Sequence, residues 1–407
     1  MKKMLCALLA AVLALTLVLP CAAADSAGFT DQQDIKNNNA VRMLYDLGLI
    51  SGYADGSFGP ENPIRREEVA KLMALLCAAE PQAQSAAPFY DVSASWAVDY
   101  IAYCAENNII VGSNGRFRPA DHVTVRELAK MLLVILGEDA SRYVGAEWAQ
   151  NVDQDAFAKG IYAGVSVSYE AAATRDTACL LIYNAMLCPK VADAGQDGPQ
   201  RYVLDSLMNP MSYLEIRFGL TRYTATLTGN ECADLTNAGS ALPAGTSKLA
   251  GHKTFNISTD LSLLGRSVDI YVKDGKVFGV PCYAVDEVYY TFSDAAQLKE
   301  ICAGGGFQLT EQTEYYYNYA PAGKEILNAP SANDKITVID HDGDNAFDVV
   351  LVTTSIPATV TAVSPLTVDV DGRSQTVRAF CATDVFSVGE SVYYSQVCGS
   401  GYIRRLK

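Results

Sequence analysis

The chain has 407 residues, 50% hydrophobic and 9% aromatic, a globular composition that excludes disorder and suffices for two to four domains with cores of their own. It carries 31 basic and 46 acidic residues. That negative excess repels nucleic acid and bare anionic surfaces, so any anion binding has to be local.

Lys2 and Lys3 precede an apolar run from Leu5 to Leu19, and Ala22-Ala23-Ala24 offers small residues before Asp25. This is the pattern of a secretory signal peptide over 1–24. Pro20 stands where a lipobox wants a small residue and argues against lipid attachment at Cys21. No other segment approaches the roughly 20 apolar residues of a spanning helix, so no membrane span is expected. Beyond residue 24 there remain 29 basic against 46 acidic residues, a formal charge of −17, and nine cysteines. An odd number without CxxC or metal-like spacing does not read as a disulfide framework. Cys104 and Cys179 lie among apolar positions and read as buried small hydrophobes; Cys381 and Cys398 are either paired or free.

The stretch GYADGSFGPENPIRREEVAKLM at 52–73 returns as GSNGRFRPADHVTVRELAKML at 112–132. Phe29 aligns on Phe89, Asp31 on Asp91, Leu44 on Cys104 and Gly52 on Gly112. A one-residue deletion then sets Phe58 on Phe117, Pro60 on Pro119, Glu68 on Glu127 and Lys71 on Lys130. A degenerate third copy keeps Trp148-Ala149 against Trp96-Ala97 and closes on Thr174-Arg175. Self-similarity at about sixty residues marks a stacked or ring-like repeat. The copies are bounded here as 25–80, 86–138 and 139–188.

Each copy reads helix, loop, helix. In copy two, Ala97, Ile101 and Cys104 form the stripe of the first helix, and Leu128, Met131, Leu132 and Ile135 that of the second. Val69, Leu72, Met73 and Leu76 repeat the second stripe in copy one; Ala178, Leu181, Ile182 and Ala185 do so in copy three. One helix pair buries too little alone, so three copies are expected to share one core as an all-α, pseudo-threefold bundle. Asp55-Gly56 and Asn114-Gly115 are tight-turn dipeptides ahead of each second helix. Thr124 and Glu127 make a capping box, Thr174 is a cap without the glutamate, and Arg65 holds the cap position of copy one.

Arginine at the start of a second helix, as at Arg66 and Arg175, opposes the helix dipole. Two readings stand. Either these side chains pair with neighbouring acids such as Glu61 or Asp176, or the guanidinium and the free N–H groups together make an anion site.

The repeated pattern, Phe29-x-Asp31, Gly48 to Tyr53, Asp55-Gly56, Phe58, Pro60 and Ile64 to Glu68, with its counterparts Phe89, Asp91, Trp96-Ala97, Ile109, Ile110, Gly112, Gly115, Phe117, Pro119 and Val123 to Glu127, resembles the S-layer homology family over roughly 29–188. The resemblance implies attachment to a Gram-positive, clostridial-type cell wall through a secondary wall polysaccharide, often pyruvylated. It further implies that the carboxylates of that polymer are read in grooves between repeats. Carried over, the principal arginine is Arg66 in copy one and Arg175 in copy three. In copy two Val125 holds its place and Arg126 follows, turned about 100° around the helix. Tyr53 is a candidate sugar contact. Trp96 and Trp148 are expected to be core first and groove wall second, while Lys36 stands in their place in copy one.

After a polar linker at 189–201 the hydrophobic period falls to two. Tyr223 to Leu227, Ser267 to Val272 and Val277 to Val280 read as strands, the last two joined at Asp274-Gly275. A short helix over Phe292 to Cys302 and a second alternating block from Lys335 complete the chain. The expected class is α+β multidomain: the helical bundle, then β-rich barrels or sandwiches over 202–290 and 291–407. Asp340, Asp342, Asp344 and Asp348 gather carboxylates as the first half of a calcium loop would, but Leu351 stands where the bidentate Glu belongs. An acidic hairpin turn without cofactor is the alternative. No HExxH, GxSxG or P-loop exists, and the three histidines lie in unrelated contexts. The expected function is wall anchoring with display of a structural or interaction region. A wall-anchored hydrolase with its site in the β region is the alternative.

Overall fold

The computed structural model describes residues 28–79, 88–193, 201–283, 288–292, 295–328, 334–381 and 384–405. The signal peptide predicted over 1–24 and most of the linker lie outside them.

Each copy forms two helices: α1 (Asn38–Asp46) and α2 (Arg66–Leu76), α3 (Val98–Glu106) and α4 (Val125–Leu136), α5 (Trp148–Ala158) and α6 (Arg175–Leu187). The second helices start where cap chemistry dictates. Thr124 Oγ1 accepts the Glu127 N–H at 3.1 Å, and Glu127 Oε2 accepts the Thr124 N–H at 2.9 Å. Thr174 accepts the Thr177 N–H at 3.2 Å. Arg65 has no acceptor to offer, so α2 keeps only the return bond, Arg65 N–H to Glu68 Oε2 at 2.8 Å.

The apolar stripes meet in one core running through all three copies. The first helix of a copy packs on the second helix of another: α3 on α2, α5 on α4, α1 on α6. At the centre a closed ring of backbone bonds joins them. Ile64 N–H donates to Ala173 C=O at 2.9 Å, Ala173 N–H to Val123 C=O at 2.9 Å, and Val123 N–H to Ile64 C=O at 3.1 Å. A lone repeat would leave this ring open and its stripe exposed.

The Phe-x-Asp pattern holds the loop before each second helix. Asp31 accepts the N–H groups of Phe58 and Gly59 at 2.7 and 2.8 Å, and Asp91 those of Phe117 and Arg118, both at 2.9 Å. Phe29 packs on Phe58, centroids 5.2 Å apart, and Phe89 on Phe117 at 5.6 Å. Glycine is required where the loop crosses that ring. A Cβ on Gly112 would lie 2.4 Å from Phe89 Cε1 and 2.5 Å from Arg116 O; on Gly52 the corresponding distances, to Phe29 Cε1 and Ser57 O, are 2.8 Å.

The helical region does not end at its repeats. A short helix α7 (Tyr213–Phe218) caps α2: the Tyr213 hydroxyl and Arg217 Nε donate to Leu76 C=O at 3.0 and 2.8 Å. Lys190 Nζ does the same for α4 at Ile135 C=O, 2.6 Å. Cations on helix C-termini are favourable. Tyr213, Leu214, Leu220 and Tyr271 extend the helical core into the β region.

Three sheets follow. Beyond a two-stranded ribbon of β1 (Val191–Asp193) and β2 (Arg201–Tyr202), the first is built of β3 (Thr221–Asn230), β4 (Ser247–Leu249), β5 (Thr254–Phe255), β6 (Ser267–Lys273) and β7 (Lys276–Tyr283) in the order β5-β4-β3-β6-β7. Asp274 and Gly275, with φ of 51° and 78°, make the predicted hairpin between β6 and β7. The second is built of β8 (Val288–Phe292), β9 (Gln308–Tyr317), β10 (Ala320–Ala322), β11 (Asp334–Asp340) and β12 (Ala346–Thr354) in the order β10-β9-β12-β11-β8. The third is built of β13 (Ile356–Val363), β14 (Leu366–Val370), β15 (Arg373–Thr376), β16 (Arg378–Ala379), β17 (Ser391–Val397) and β18 (Ser400–Arg405) in the order β15-β14-β13-β17-β18-β16.

Three expectations change. Residues 288–290, assigned to the first β block, belong to β8, which pairs with β11 of the second. The block from Lys335 divides into two sheets at Ser355. Each sheet has an open hydrogen-bonded order among the described residues, with no barrel closure. The sheets instead share a core, with Leu227 and Ile270 from the first, Ile339 and Leu351 from the second, and Val397 and Tyr402 from the third. The short helix is α8 (Ala295–Ala303). Cys104 and Cys179 are buried as expected, and Cys381 and Cys398 are not bonded to each other.

Candidate functional site

The backbone ring fixes which residues correspond. Arg66 N–H bonds to Asp121 O, Val125 N–H to Ala171 O and Arg175 N–H to Asn62 O. Arg66, Val125 and Arg175 are therefore equivalent, each the first residue of a second helix facing the loop of another copy.

Around Arg66 all three copies contribute. The side chain is 5% exposed. Its Nε donates to Phe117 O at 2.9 Å and its NH2 to Val111 O at 3.4 Å, while NH1 pairs with Glu127 Oε1 at 2.9 Å. The Phe117 ring lies under the guanidinium at 4.8 Å. Beside it opens a cleft of about 510 Å³ whose lining includes Gly112, Lys130, Tyr143 and Trp148. Lys130 Nζ sits 5.8 Å from the Trp148 ring, and burial pushes its ammonium below the ordinary lysine range, against the pull of Glu127.

Arg175 repeats the arrangement on the loop of copy one. Its Nε donates to Phe58 O at 2.8 Å and its NH2 to Ser51 O at 3.0 Å. The guanidinium lies over the rings of both Tyr53 and Phe58, each 4.8 Å away. No carboxylate is within ion-pair distance of it among the described residues. Lys71, the counterpart of Lys130, sits 5.9 Å from the Trp96 ring.

The third position lacks every one of these groups. Val125 replaces the arginine, and Leu180 occupies the place of Lys71 and Lys130. Lys36 stands in place of tryptophan and is tied to Glu61 at 2.7 Å in solvent. Tyr162 and Tyr169 stack on each other there, 3.9 Å apart.

Of the residues singled out in the sequence, Arg66 and Trp148 line the cleft, Arg175 and Tyr53 pack together on the loop of copy one, and Trp96, with Lys71, holds the position equivalent to Trp148 with Lys130. Arg126 belongs to none of these. Its Nε and NH2 bind Asp153 at 2.9 and 2.8 Å, and NH1 binds Glu170 at 3.0 Å. The corresponding residues elsewhere are acids: Glu67 accepts from Ser95 Oγ at 2.6 Å, and Asp176 accepts the Asn37 N–H and side-chain amide at 3.1 and 2.7 Å. Copy two inverts the charge at this joint and answers it with an aspartate. Trp96 is 57% exposed, so it is groove wall rather than core, whereas Trp148 is half-buried against the core. Residue patterning assigned Glu127 only its capping role and gave none to Lys71 or Lys130, although the alignment of Lys71 on Lys130 was the available signal.

The acidic hairpin joins β11 and β12. Asp340, Asp342 and Asp348 each bring an oxygen within 4.8 Å of the others, without Asp344. Asp340, fully buried, accepts the N–H groups of Gly343 and Asn345 at 2.8 and 3.0 Å, and Asp348 that of His341 at 2.7 Å. The carboxylates staple the turn, and Leu351 is buried in β12. Leu351 offers no side-chain oxygen where a calcium loop has its bidentate glutamate.

The sequence pattern of the S-layer homology domain matches residues 28–70 and 88–129. Among similar proteins, the surface layer protein of Brevibacillus choshinensis is 30% identical over 146 residues, 35% of this chain and 13% of that protein. The middle cell wall protein of Brevibacillus brevis is 25% identical over 301 residues, 68% of this chain and 28% of that protein. The surface-layer 125 kDa protein of Lysinibacillus sphaericus is 32% identical over 173 residues, 40% and 14% respectively. The matched stretch thus spans 13% to 28% of the length of these relatives. No helix among the described residues is long and apolar enough to cross a membrane.

Proposed function

We propose, because this chain carries S-layer homology domains and is thereby a wall-attached cell-surface protein, that two of its three grooves hold acid groups of a secondary cell-wall polysaccharide, pyruvate ketals foremost. One observation carries the reading. Arginine, lysine and tryptophan converge at Arg66 with Lys130 and Trp148, and Arg175, Lys71 and Trp96 hold the equivalent positions of the next joint, while all three are replaced at Val125, Leu180 and Lys36. A guanidinium held by two carbonyls, a nearby ammonium and an exposed indole face suit a sugar that carries a carboxylate. The closed ring through Ile64, Val123 and Ala173 supports describing the repeats as a pseudo-threefold bundle.

The β-rich region is then a displayed structural or interaction module without hydrolytic activity. Its histidines are engaged elsewhere: His252 lies edge-on to Tyr223 at 5.5 Å between centroids, and His341 Nε2 is 2.8 Å from Gly265 O. The acidic hairpin needs no calcium in this account.

Co-sedimentation of the mature chain with purified native walls tests the reading, compared with the same walls after mild acid removal of ketals. Binding to the first and its loss on the second is the expected result. Equal pelleting with both would overturn the acid-recognition reading, and release of soluble sugar or peptide by the mature chain would favour the hydrolase.

A further inference from the structure

The two grooves are built from the same residue types but differ in what faces the guanidinium. At Arg66 the third nitrogen is occupied by Glu127, and the position opposite Phe117 is held by Ser113, which has no ring. At Arg175 the counterpart of Ser113 is Tyr53, which adds a second aromatic ring 4.8 Å from the guanidinium beside that of Phe58. The counterpart of Glu127 is Glu68, whose Oε2 serves the Arg65 N–H and whose carboxylate makes no bond to Arg175. The Arg66 cleft also has Arg118 in its lining, paired with Asp121 at 3.4 Å, where the copy-one loop has Gly59 and Asn62; that pair is neutral overall, so the difference lies in geometry. A stacked, carbonyl-held guanidinium with a free nitrogen is already arranged for an incoming carboxylate. One paired to its own glutamate must exchange partners first.

We propose, on the footing of the acid-recognition reading above, that Glu127 is a built-in competitor for the sugar acid, making the Arg66 groove the weaker site, while Tyr53 pre-organises Arg175 as the stronger one. Glu127 is well placed for this role. One carboxylate oxygen caps α4 through Thr124 and the other lies on Arg66 at 2.9 Å, and its side chain is 32% exposed, within reach of a ligand in the cleft. The wall polymer then engages through one firm contact and one that yields, which suits a repeating ligand presenting many identical acids to a chain that binds at two points.

The test keeps the full mature chain and uses a defined probe, a methyl hexopyranoside carrying a 4,6-O-(1-carboxyethylidene) group, titrated calorimetrically. Glu127→Gln retains a capping-box side chain at the same position and removes only the charge. Glu68→Gln is the matched control. The wild type is expected to show two classes of site. Glu127→Gln should tighten the weaker class about tenfold, the scale of one charge-assisted hydrogen bond released for the ligand, and close the gap between the classes. Glu68→Gln should leave both classes in place. Two equal sites in the wild type, or a Glu127→Gln isotherm unchanged from it, would overturn the asymmetry and leave the acid-recognition reading standing. No binding heat in any variant would overturn both.

Discussion

Replacing Gly112 by alanine puts a methyl group where the structure has none to spare. The new Cβ would lie 2.4 Å from Phe89 Cε1, 2.5 Å from Arg116 O and 2.8 Å from Phe89 Cδ1. Phe89 cannot swing away, because it stacks on Phe117, which is fully buried. Arg116 O accepts the Ser113 N–H at 2.9 Å within the same turn. Loop 110–117 must therefore move as a unit, and overpacking of this kind costs about 2–3 kcal/mol. For a cooperative unit of this size that lowers the melting temperature by about 4–12 °C. The displaced loop carries Val111 O and Phe117 O, the two carbonyls that hold Arg66, so the Arg66 groove should lose ligand binding more than the Arg175 groove. Gly306→Ala is the control, since Gly306 has open space around its Cβ position. Scanning calorimetry reads the first effect and probe titration the second. A Gly112→Ala protein that melts with the wild type would refute the argument from close approach.

Arg65→Thr should stabilise by about 1 kcal/mol by giving α2 the cap that α4 and α6 already have; a lower melting temperature would contradict the helix start at Arg66. Burial alone would raise the Asp31 carboxyl, but the N–H groups of Phe58 and Gly59 hold it below the usual range. Its stabilising contribution is therefore present above the ordinary value of 3.8 and lost as pH falls through the lowered folded value. Asp31→Asn should cost about 1 kcal/mol at pH 7, discounted for partial exposure, and progressively less as pH falls through that lowered value; a penalty independent of pH would count against the loop clamp. Calcium titrated into the mature chain should give no heat above dilution, because Asp340 and Asp348 are engaged by backbone N–H groups; saturable binding lost in Asp342→Asn would contradict that.

Features set by local chemistry were legible in the sequence. The caps at Thr124 and Thr174, the Asp274-Gly275 hairpin and the buried stripes depend on residues a few positions apart, and spacing alone fixes them. The groove residues were legible as types but not as partners. Arg66 finds its acceptors on Phe117 and Glu127, 51 and 61 positions away, and no periodicity reports such a pairing. Arg126 illustrates the same limit: only the packing of α4 on α5 brings Asp153 to it and turns a candidate ligand contact into a joint between copies. Trp96 was misplaced because an indole at a repeated position suits a core equally well, and its exposure is set by where α2 ends up. In the β region the alternation located strands, but β8 joined the later sheet because its partner β11 is set by tertiary pairing rather than by nearness in sequence.

The most direct measurement of the central claim is wall binding by the mature Arg66→Ala, Arg175→Ala double variant, checked by circular dichroism for intact helix and set beside the lysine double variant, which keeps the charges but not the forked geometry. The account predicts affinity for native walls lowered by more than a hundredfold in the alanine pair, about 3 kcal/mol or more, and only partly recovered with lysine. Undiminished pelleting of a folded alanine pair would contradict it.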